Sequence, residues 1–490
     1  MGTIKYLKIE FITACLAFAM MASILYVKPI IGMADSGDFG RIMAATGLGW
    51  ISEEPDQKHF DYIISTYSIS KFKVPLSNLE AYPSSQVLLV KAAIFINKLV
   101  RSKKFFDIRV LSFLYVMILS ISIFAIHKYS NITSNYVKYI LSILMLIVFI
   151  DVGYIAYFNS LYGEATSYVF LFLVLASGLY IANHSNPSFF GLLIFLIALI
   201  IFSTAKAQNI PLAFIFLIFL AKIFFEKRDV LWRTTIVVLT FVMATSSIAV
   251  HMFTPQVMQD CHKYQAIFYG IIRYSPTPEK DLEELGIDPK FAVLKGTNFF
   301  MTGLTYDLRD PTFQWEIYDK ITHWKILLFY LKHPDRFLEK LSISAENGFY
   351  IRPAYLGNYE REPGVKPLQM ATMFSLWSTF KAKTLPHSLF LVVSFFFLYF
   401  TTLAYYYVIK WRRREKTLFV DIFMILGLIG AVSFVVPILG DGEADHAKHL
   451  FLFNVAFDMM MVASITWMFS TLPRWGRIQN CPKISGPMSS

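Results

Sequence analysis

The chain has 490 residues, of which 56% are apolar and only 16% charged, and it carries a net charge of +11. A soluble domain would hold about 25% charged residues, so the composition excludes an ordinary water-soluble protein. The positive charge does not read as a nucleic-acid surface, because the basic residues sit in short stretches between apolar runs, where membrane orientation signals belong.

Apolar runs of about 20 residues, the length that crosses a bilayer as a helix, recur along the chain. They predict an all-α polytopic membrane protein of about ten spans: 8–32, 108–126, 139–158, 163–182, 189–205, 209–225, 231–251, 386–410, 418–438 and 449–470. The first run is read as a retained span, since no small-x-small cleavage site follows it before Asp35. Lys5 and Lys8 precede it. Lys128 and Lys138, then Lys227, Arg228 and Arg233, then Lys410, Arg412, Arg413, Arg414 and Lys416 fall between later spans, and Arg474 and Arg477 follow the last. With ten spans the positive-inside rule puts all of these, and both termini, in the cytoplasm. Residues 85–100 are apolar but short, and Lys91 and Lys98 interrupt them; they are expected as an amphipathic helix on the outer leaflet.

Two outer-face loops are large, 33–107 and 252–385. The chain therefore divides into an N-terminal transmembrane module (1–251), a loop domain (252–385) and C-terminal helices with a short cytoplasmic tail (386–490). The loop domain should contain an amphipathic helix from about 312 to 346, broken at Pro334. Cys15, Cys261 and Cys481 lie too far apart to suggest a disulfide framework. No Walker loop and no GxGxxG precedes a soluble helix, which argues against a cytosolic nucleotide as direct donor. Chemistry is expected on the outer face.

Four outer turns carry ionisable groups. Asp35 and Asp38, followed by Arg41, stand after the first span. Carboxylates there can act as general base or metal ligands, or cap a short helix starting near Phe39. Glu164 lies in the tight turn Asn159-Ser160-Leu161-Tyr162-Gly163-Glu164, and Lys206 and Gln208 lie in the next outer turn. Lys206, and Arg109 at the start of the second span, could bind a lipid phosphate or snorkel to headgroups. The last outer turn, Gly440 to His449, packs Asp441, Glu443, Asp445, His446, Lys448 and His449 together. His446 and His449 could join Asp441 or Glu443 at a metal, but no HExxH signature supports zinc. Phosphate binding by His446, Lys448 and His449 fits these residues better, with a solvated loop as the plain alternative.

The order of these turns resembles the GT-C superfamily of integral-membrane glycosyltransferases, which use polyprenyl-phosphate sugars on the outer face. Asp38-Phe39-Gly40-Arg41 is similar to the Asp-Glu-x-Arg of lipid A aminoarabinose transferases and to the Asp-Glu pair of protein O-mannosyltransferases. Tyr82-Pro83-Ser84-Ser85 resembles a Pro-Pro-Leu-Tyr segment, and Phe106 to Ser112 an Ala-x-Arg-Leu-Pro-Ser stretch. The Phe158–Glu164 turn resembles a second acidic site, Ala205-Lys206-Ala207-Gln208 a Lys-Pro-Gln turn, and Tyr330-Leu331-Lys332-His333-Pro334 an outer-loop element. Phe39 departs from the pattern where relatives carry an acid, and Pro83 is not followed by Pro-Leu.

The resemblance implies a bacterial inner-membrane hexose transferase of cell-surface glycan assembly, with its active site on the extracytoplasmic face. Its partners would be a polyprenyl-phosphate sugar donor, a glycan or glycolipid acceptor and the bilayer. Asp38 would be the general base, with Asp35 and Glu164 beside it. Arg41, Arg109, Lys206, Gln208, His446, Lys448 and His449 would bind substrate. A divalent cation (Mg or Mn) on Asp35, Asp38 and Glu164 is compatible with it, since some relatives use one and others do not. Two other readings share these features: a flippase or transporter of lipid-linked sugars, and an O-antigen-type polymerase or ligase. Internal repeats would favour the transporter, and none stands out in the sequence.

Overall fold

A computed structural model describes residues 8–51, 59–69 and 83–478, with side chains as far as Thr471. Lys5, Tyr82 and Cys481 lie outside the described residues, as do the side chains of Arg474 and Arg477.

Among the described residues, seven helices are long and apolar enough to cross a membrane. They are α1 (Ile9–Tyr26), α4 (Ile108–Tyr129), α7 (Gly163–Asn183), α11 (Val230–Met252), α18 (Leu389–Arg412), α19 (Leu418–Asp441) and α21 (Phe451–Ile478). Two more spans are bent: α5 (Asn135–Phe149) turns by 51° into α6 (Val152–Ile155) and a 3₁₀ turn, and α9 (Ile210–Ile215) turns by 42° into α10 (Leu217–Glu226). The apolar helix α8 (Phe189–Thr204) is shorter, at 16 residues. Together these occupy the ten apolar runs of the sequence. The first helix stops at Tyr26, earlier than the apolar run suggests, because Lys28 precedes Pro29 and that position is driven out of the α region.

The central helix is α7, 83% buried along its apolar window, packed against α4, α8, α19 and α21. By contrast α18 is only 11% buried, and its exposed Phe390, Phe397 and Leu398 form a surface suited to lipid. Between the spans lie α2 (Phe39–Thr46), α3 (Ser85–Val100) and a small antiparallel sheet, β1 (Leu48–Gly49), β2 (Thr66–Ile69) and β3 (Phe105–Asp107). Helix α3 buries Val90, Ala93, Ile94 and Asn97, and leaves Leu88, Phe95 and Leu99 exposed beside Lys91 and Lys98, so it is amphipathic without spanning.

The large loop supplies α12 (Gln256–Ala266), α13 (Pro278–Leu285), α14 (Pro311–Glu316), α15 (His323–Lys332), α16 (Pro334–Asn347) and α17 (Leu376–Thr384). Helices α12 to α15 close over their own apolar cluster around Tyr264, Phe268, Phe291 and Phe329, which also takes in Ile438 of α19. The expected 312–346 helix is three pieces, not two. Besides Pro334 there is a break between Ile317 and Thr322, where Ile317 and Ile321 turn inward and the Thr322 hydroxyl caps α15 by accepting from Lys325 N–H.

Backbone pairing knits the two large loops together. Gly32 N–H donates to Asn358 O (2.9 Å), Ala34 N–H to Gly357 O (3.0 Å), Gly357 N–H to Phe60 O (2.8 Å) and Ile63 N–H to Tyr359 O (3.0 Å). Gly357 is obligatory here, since a Cβ would stand 1.9 Å from Asp61 O. Deeper in, Lys381 of α17 is fully buried. Its ammonium donates to Asp458 Oδ1 (2.8 Å) and Asn454 Oδ1 (2.6 Å) on α21, while Tyr154 OH (2.5 Å) and Trp377 Nε1 (2.7 Å) donate to Asp458 Oδ2. Every oxygen of that carboxylate has a donor, as a charge away from water requires. Lys381→Met is expected to destabilise the protein by about 3–5 kcal/mol, because Asp458 would remain buried without its counter-charge. The thermal midpoint in detergent measures it, and an unchanged midpoint would contradict the role given to this pair.

Candidate functional site

The turns of the bundle fall into two ends. At one end Asn183 Nδ2 donates to Tyr129 O, Lys227 Nζ to Pro187 O, and Lys416 pairs with Glu226. These are the turns rich in Lys and Arg. At the other end the acidic turns meet, and there the chemistry-bearing side chains collect.

The short helix α2 presents Asp38 and Arg41 one turn apart, so the guanidinium reaches back to Asp38 Oδ1. Lys448, on the short helix α20 (His446–His449), pairs with Asp38 Oδ2, donates to Ser36 Oγ (3.1 Å) and lies 3.5 Å from Asp445. Its ammonium also stands 4.7 Å over the Tyr162 ring. Tyr162 OH donates to Ala34 O (2.9 Å) and accepts from Ser36 N–H (2.7 Å), which fixes the turn carrying Asp38 against the 159–164 turn. Asp35 is almost fully buried and caps α2: its Oδ1 accepts from Gly37 N–H (2.7 Å) and Phe39 N–H (3.1 Å). Phe39 packs edge-on against Tyr162, with ring centroids 4.6 Å apart.

Next to this group, Lys206 Nζ donates to Glu164 Oε1 (2.7 Å), and Gln208 Nε2 donates to the backbone oxygen of His449 (2.8 Å). Asp441 lies between two imidazoles, with Oδ1 2.6 Å from His262 Nδ1 and Oδ2 3.1 Å from His449 Nε2. Glu443 takes Lys340 (2.5 Å) and Arg273 (2.7 Å) from the large loop. His446 is buried against Ser344, Nε2 to Oγ 2.8 Å. Tyr355 donates to Asp445. Gly442, at φ +57°, lets this turn touch Gly270; a Cβ on Gly442 would stand 2.6 Å from Gln265 O. The structure thus joins Asp38, Asp35, Arg41 and Lys448 in one group and sets Glu164 with Lys206, and His449 with Gln208, beside it. Arg109 stands apart, held by Asp107 (Nη2 to Oδ2 2.6 Å) at the start of α4.

The sequence matches the family described as the YfdI N-terminal transmembrane domain over residues 2–484. The chain belongs to that family. None of the curated proteins matches it. Among solved structures it is similar to the archaeal oligosaccharyltransferase AglB from Archaeoglobus fulgidus in complex with an inhibitory peptide and a dolichol-phosphate, at 13% identity and TM-score 0.39, over 98% of this chain and 52% of that one. It is also similar to the apo form of the Archaeoglobus fulgidus oligosaccharyltransferase, at 11% identity and TM-score 0.40, over 99% of this chain and 53% of that one. The chain spans about half the length of these two structures.

The electrostatics of the site follow from the pairing. Burial opposes charge on Asp38, but Lys448 and Arg41 outweigh it and hold the carboxyl well below its ordinary value. Burial likewise opposes charge on Lys448, and Asp38 and Asp445 overcome it, so its ammonium is held well above the usual value. For His262 burial pulls down and Asp441 pulls up, with a raised result. His449 is lowered, chiefly by burial. His446 falls to about 4, mainly by burial, and stays neutral at pH 7.

The acids do not fit a metal. Asp38 is taken by two cations, Glu164 by Lys206 and one oxygen of Asp35 by backbone N–H groups. Among the described residues no three His, Cys, Asp or Glu side chains are placed to hold an ion.

His262, Arg273, Lys340 and Tyr355 escape sequence reading because their partners are far along the chain, 179 residues away for His262 and 170 for Arg273. Gly442 and Gly270 offer no signal except their glycines. The buried His446 yields a pH test. Its pKa lies below the value of about 6.5 expected unfolded, so the unfolded chain binds more protons between pH 6.5 and about 4, and stability falls as pH drops through that window. The contribution is up to about 3 kcal/mol. His446→Gln is expected to flatten that part of a thermal-midpoint-against-pH curve, and an unchanged slope would contradict a neutral buried imidazole.

Proposed function

We propose that this protein is a membrane glycosyltransferase of the GT-C type that moves a sugar from a polyprenyl-phosphate donor to a hydroxyl of a glycan or glycolipid acceptor. The observation that carries this reading is the carboxylate of Asp38 held between Arg41 and Lys448 at the membrane edge, with Lys206 close by. An acid for a hydroxyl and a set of cations for a phosphate stand together, which is what such a transfer requires.

The acceptor oxygen would attack the anomeric carbon while the bond to the donor phosphate lengthens, through an oxocarbenium-like transition state. Asp38 orients that hydroxyl and takes its proton. Its lowered pKa keeps it ionised but weakens it as a base, and the donor supplies the remedy. An incoming phosphate competes with Asp38 for Lys448 and Arg41, and any cation that turns toward phosphate raises the basicity of Asp38. Lys206, Lys448 and Arg41 then meet the charge that grows on the leaving phosphate. Glu164 holds Lys206 in place, and Asp35 holds α2, so both are positioning residues. Direct displacement would invert the anomeric configuration.

The reading puts the acidic end on the extracytoplasmic side, supported by the Lys- and Arg-rich turns at the opposite end. The large loop would shape the acceptor side, since Lys340, Arg273 and His262 tie it to the Asp441–His449 turn.

Asp38→Asn is expected to lower transfer of labelled sugar from a polyprenyl-phosphate donor by about 10²–10⁴-fold in membranes while the protein remains monodisperse. Full activity in that variant would remove Asp38 as the base. Lys448→Gln should lower kcat for a monophosphate-linked donor as well as raise its KM, since the ammonium meets charge that grows in the transition state. A preference for diphosphate-linked oligosaccharide would point instead to a polymerase or ligase, and movement of the lipid-linked sugar without bond change to a flippase.

A further inference from the structure

Helix α12 of the large loop brings an imidazole to the edge of the site, and the chemistry above gives it no part beyond holding the loop. His262 Nδ1 lies 2.6 Å from Asp441 Oδ1, and His449 Nε2 lies 3.1 Å from Asp441 Oδ2, so one carboxylate orients two rings. Close backbone packing fixes the end of α12. The chain leaves α12 through a wide π turn, Ile267–Ile271, a form of helix found mostly at functional sites. Within it Gly270 touches Gly442, and Glu443 N–H donates to Tyr269 O (3.3 Å). A Cβ on Gly270 would stand 2.9 Å from Gly442 Cα, so a side chain there would push the turn away from Asp441.

Two features separate His262 from a plain tie between loop and bundle. A tie uses one ring nitrogen. Among the described residues His262 Nε2 makes no hydrogen bond, yet it is open to solvent: the side chain is 31% exposed, while the Asp441 carboxylate beneath it is 8% exposed. The reachable groups around it are also those of the site. Asp38 is 33% exposed, Arg41 27% and Lys206 23%. Asp38 and Arg41 stand near enough to act on the charge of His262, and Lys206 on that of Asp441. Beside a carboxylate the ring favours its charged form, in which both nitrogens donate.

We infer that His262, oriented by Asp441, donates its Nε2–H to the phosphate of the lipid-linked donor, alongside Lys448 and Arg41. This rests on the transfer proposed above. There the bond from the anomeric carbon to the phosphate oxygen breaks and its electron pair stays on that oxygen. The new bond forms to the acceptor oxygen, whose proton passes to Asp38. The phosphodiester thus becomes a monoester with a second ionisable oxygen, and a charge-assisted donor strengthens as that charge grows. Lys448 and Arg41 are already paired with Asp38, and Lys206 with Glu164. His262 Nε2–H is the donor that a phosphate meets without displacing a carboxylate. The titratable and charged groups facing His262 are Asp441 from α19, His449 across that carboxylate, Asp38 and Arg41 from α2, and His323 from α15. Burial opposes charge on all three imidazoles. Asp441 outweighs it at His262, while His323 and His449 stay below their ordinary value.

Titration calorimetry of the full chain in detergent with farnesyl methyl phosphate, and with farnesol as control, tests this. The probe is a phosphodiester with no second ionisation, so its charge is constant through neutral pH and any pH dependence belongs to the protein. The native protein is expected to bind the phosphodiester and not farnesol. His262→Asn keeps a donor toward Asp441 but has no atom at the Nε2 position, and should weaken binding about tenfold or more. Native affinity should fall as pH rises above about 6.5 and the ring loses its proton, and His262→Asn should not show that fall. His323→Asn, which removes the neighbouring imidazole, should stay within about twofold of the native protein. The inference fails if His262→Asn binds as the native protein does, or binds more weakly with the native pH profile, which would make the ring a tie. It fails too if farnesol binds as tightly as the phosphodiester. Should His262→Asn not fold, the native pH profile decides, and a flat one overturns the inference. No sugar is present and no bond is made, so these failures leave the proposed transfer standing on Asp38, Lys448 and Arg41. A failure of sugar transfer would leave His262-dependent phosphodiester binding intact, as in a flippase.

Discussion

A charge at the edge of a hydrocarbon layer persists only when another charge answers it, and that constraint arranges the acidic end of this protein. Asp38 is answered by Lys448 and Arg41, Glu164 by Lys206, Glu443 by Lys340 and Arg273, and Asp441 has two imidazoles. Apart from Asp38 with Arg41 and Asp441 with His449, each pairing joins segments that the chain holds far apart. Satisfying the charges and assembling the site are therefore one event.

The large loop belongs to the site for the same reason. It has an apolar cluster of its own around Tyr264 and Phe268, yet Ile438 of the spanning helix α19 completes that cluster. Its charged side chains, His262, Arg273 and Lys340, turn toward the Asp441–Glu443 turn rather than to water. On its other side, Lys381 plugs into Asp458 inside the bundle, and the 357–359 segment threads between residues 32–34 and 60–63. Three kinds of bond, apolar, ionic and backbone, fix one loop against one bundle end.

Much of the fold was legible because lipid imposes a simple rule on sequence: apolar for a bilayer's width, then a turn. The ten runs all form helices, and the turns sort to two ends as the Lys and Arg residues suggest. What the rule does not contain is where a helix bends or breaks inside an apolar run, as at Ile150 and Phe216, since burial is satisfied either way. In the site, Asp38, Arg41, Lys448, Glu164 and Lys206 were visible as acids and bases crowding outer turns. Their pairing was not, and neither were His262 or Tyr355, because a partner more than a hundred residues away for His262 leaves no local spacing to read. Asp35 was open between ligand and cap, and its Oδ1 proves to be the cap of α2.

The bond between Asp38 and Lys448 spans 410 positions of chain. At a synthesis rate of about 5–20 residues per second, Asp38 emerges roughly 20–80 s before the ammonium that neutralises it is made. During that interval Arg41 is its one nearby cation in sequence, and the first helical hairpins are already in the lipid. Until Lys448 arrives with the last helices, Arg41 alone answers Asp38, and the pairing of this turn is completed only at the end of the chain.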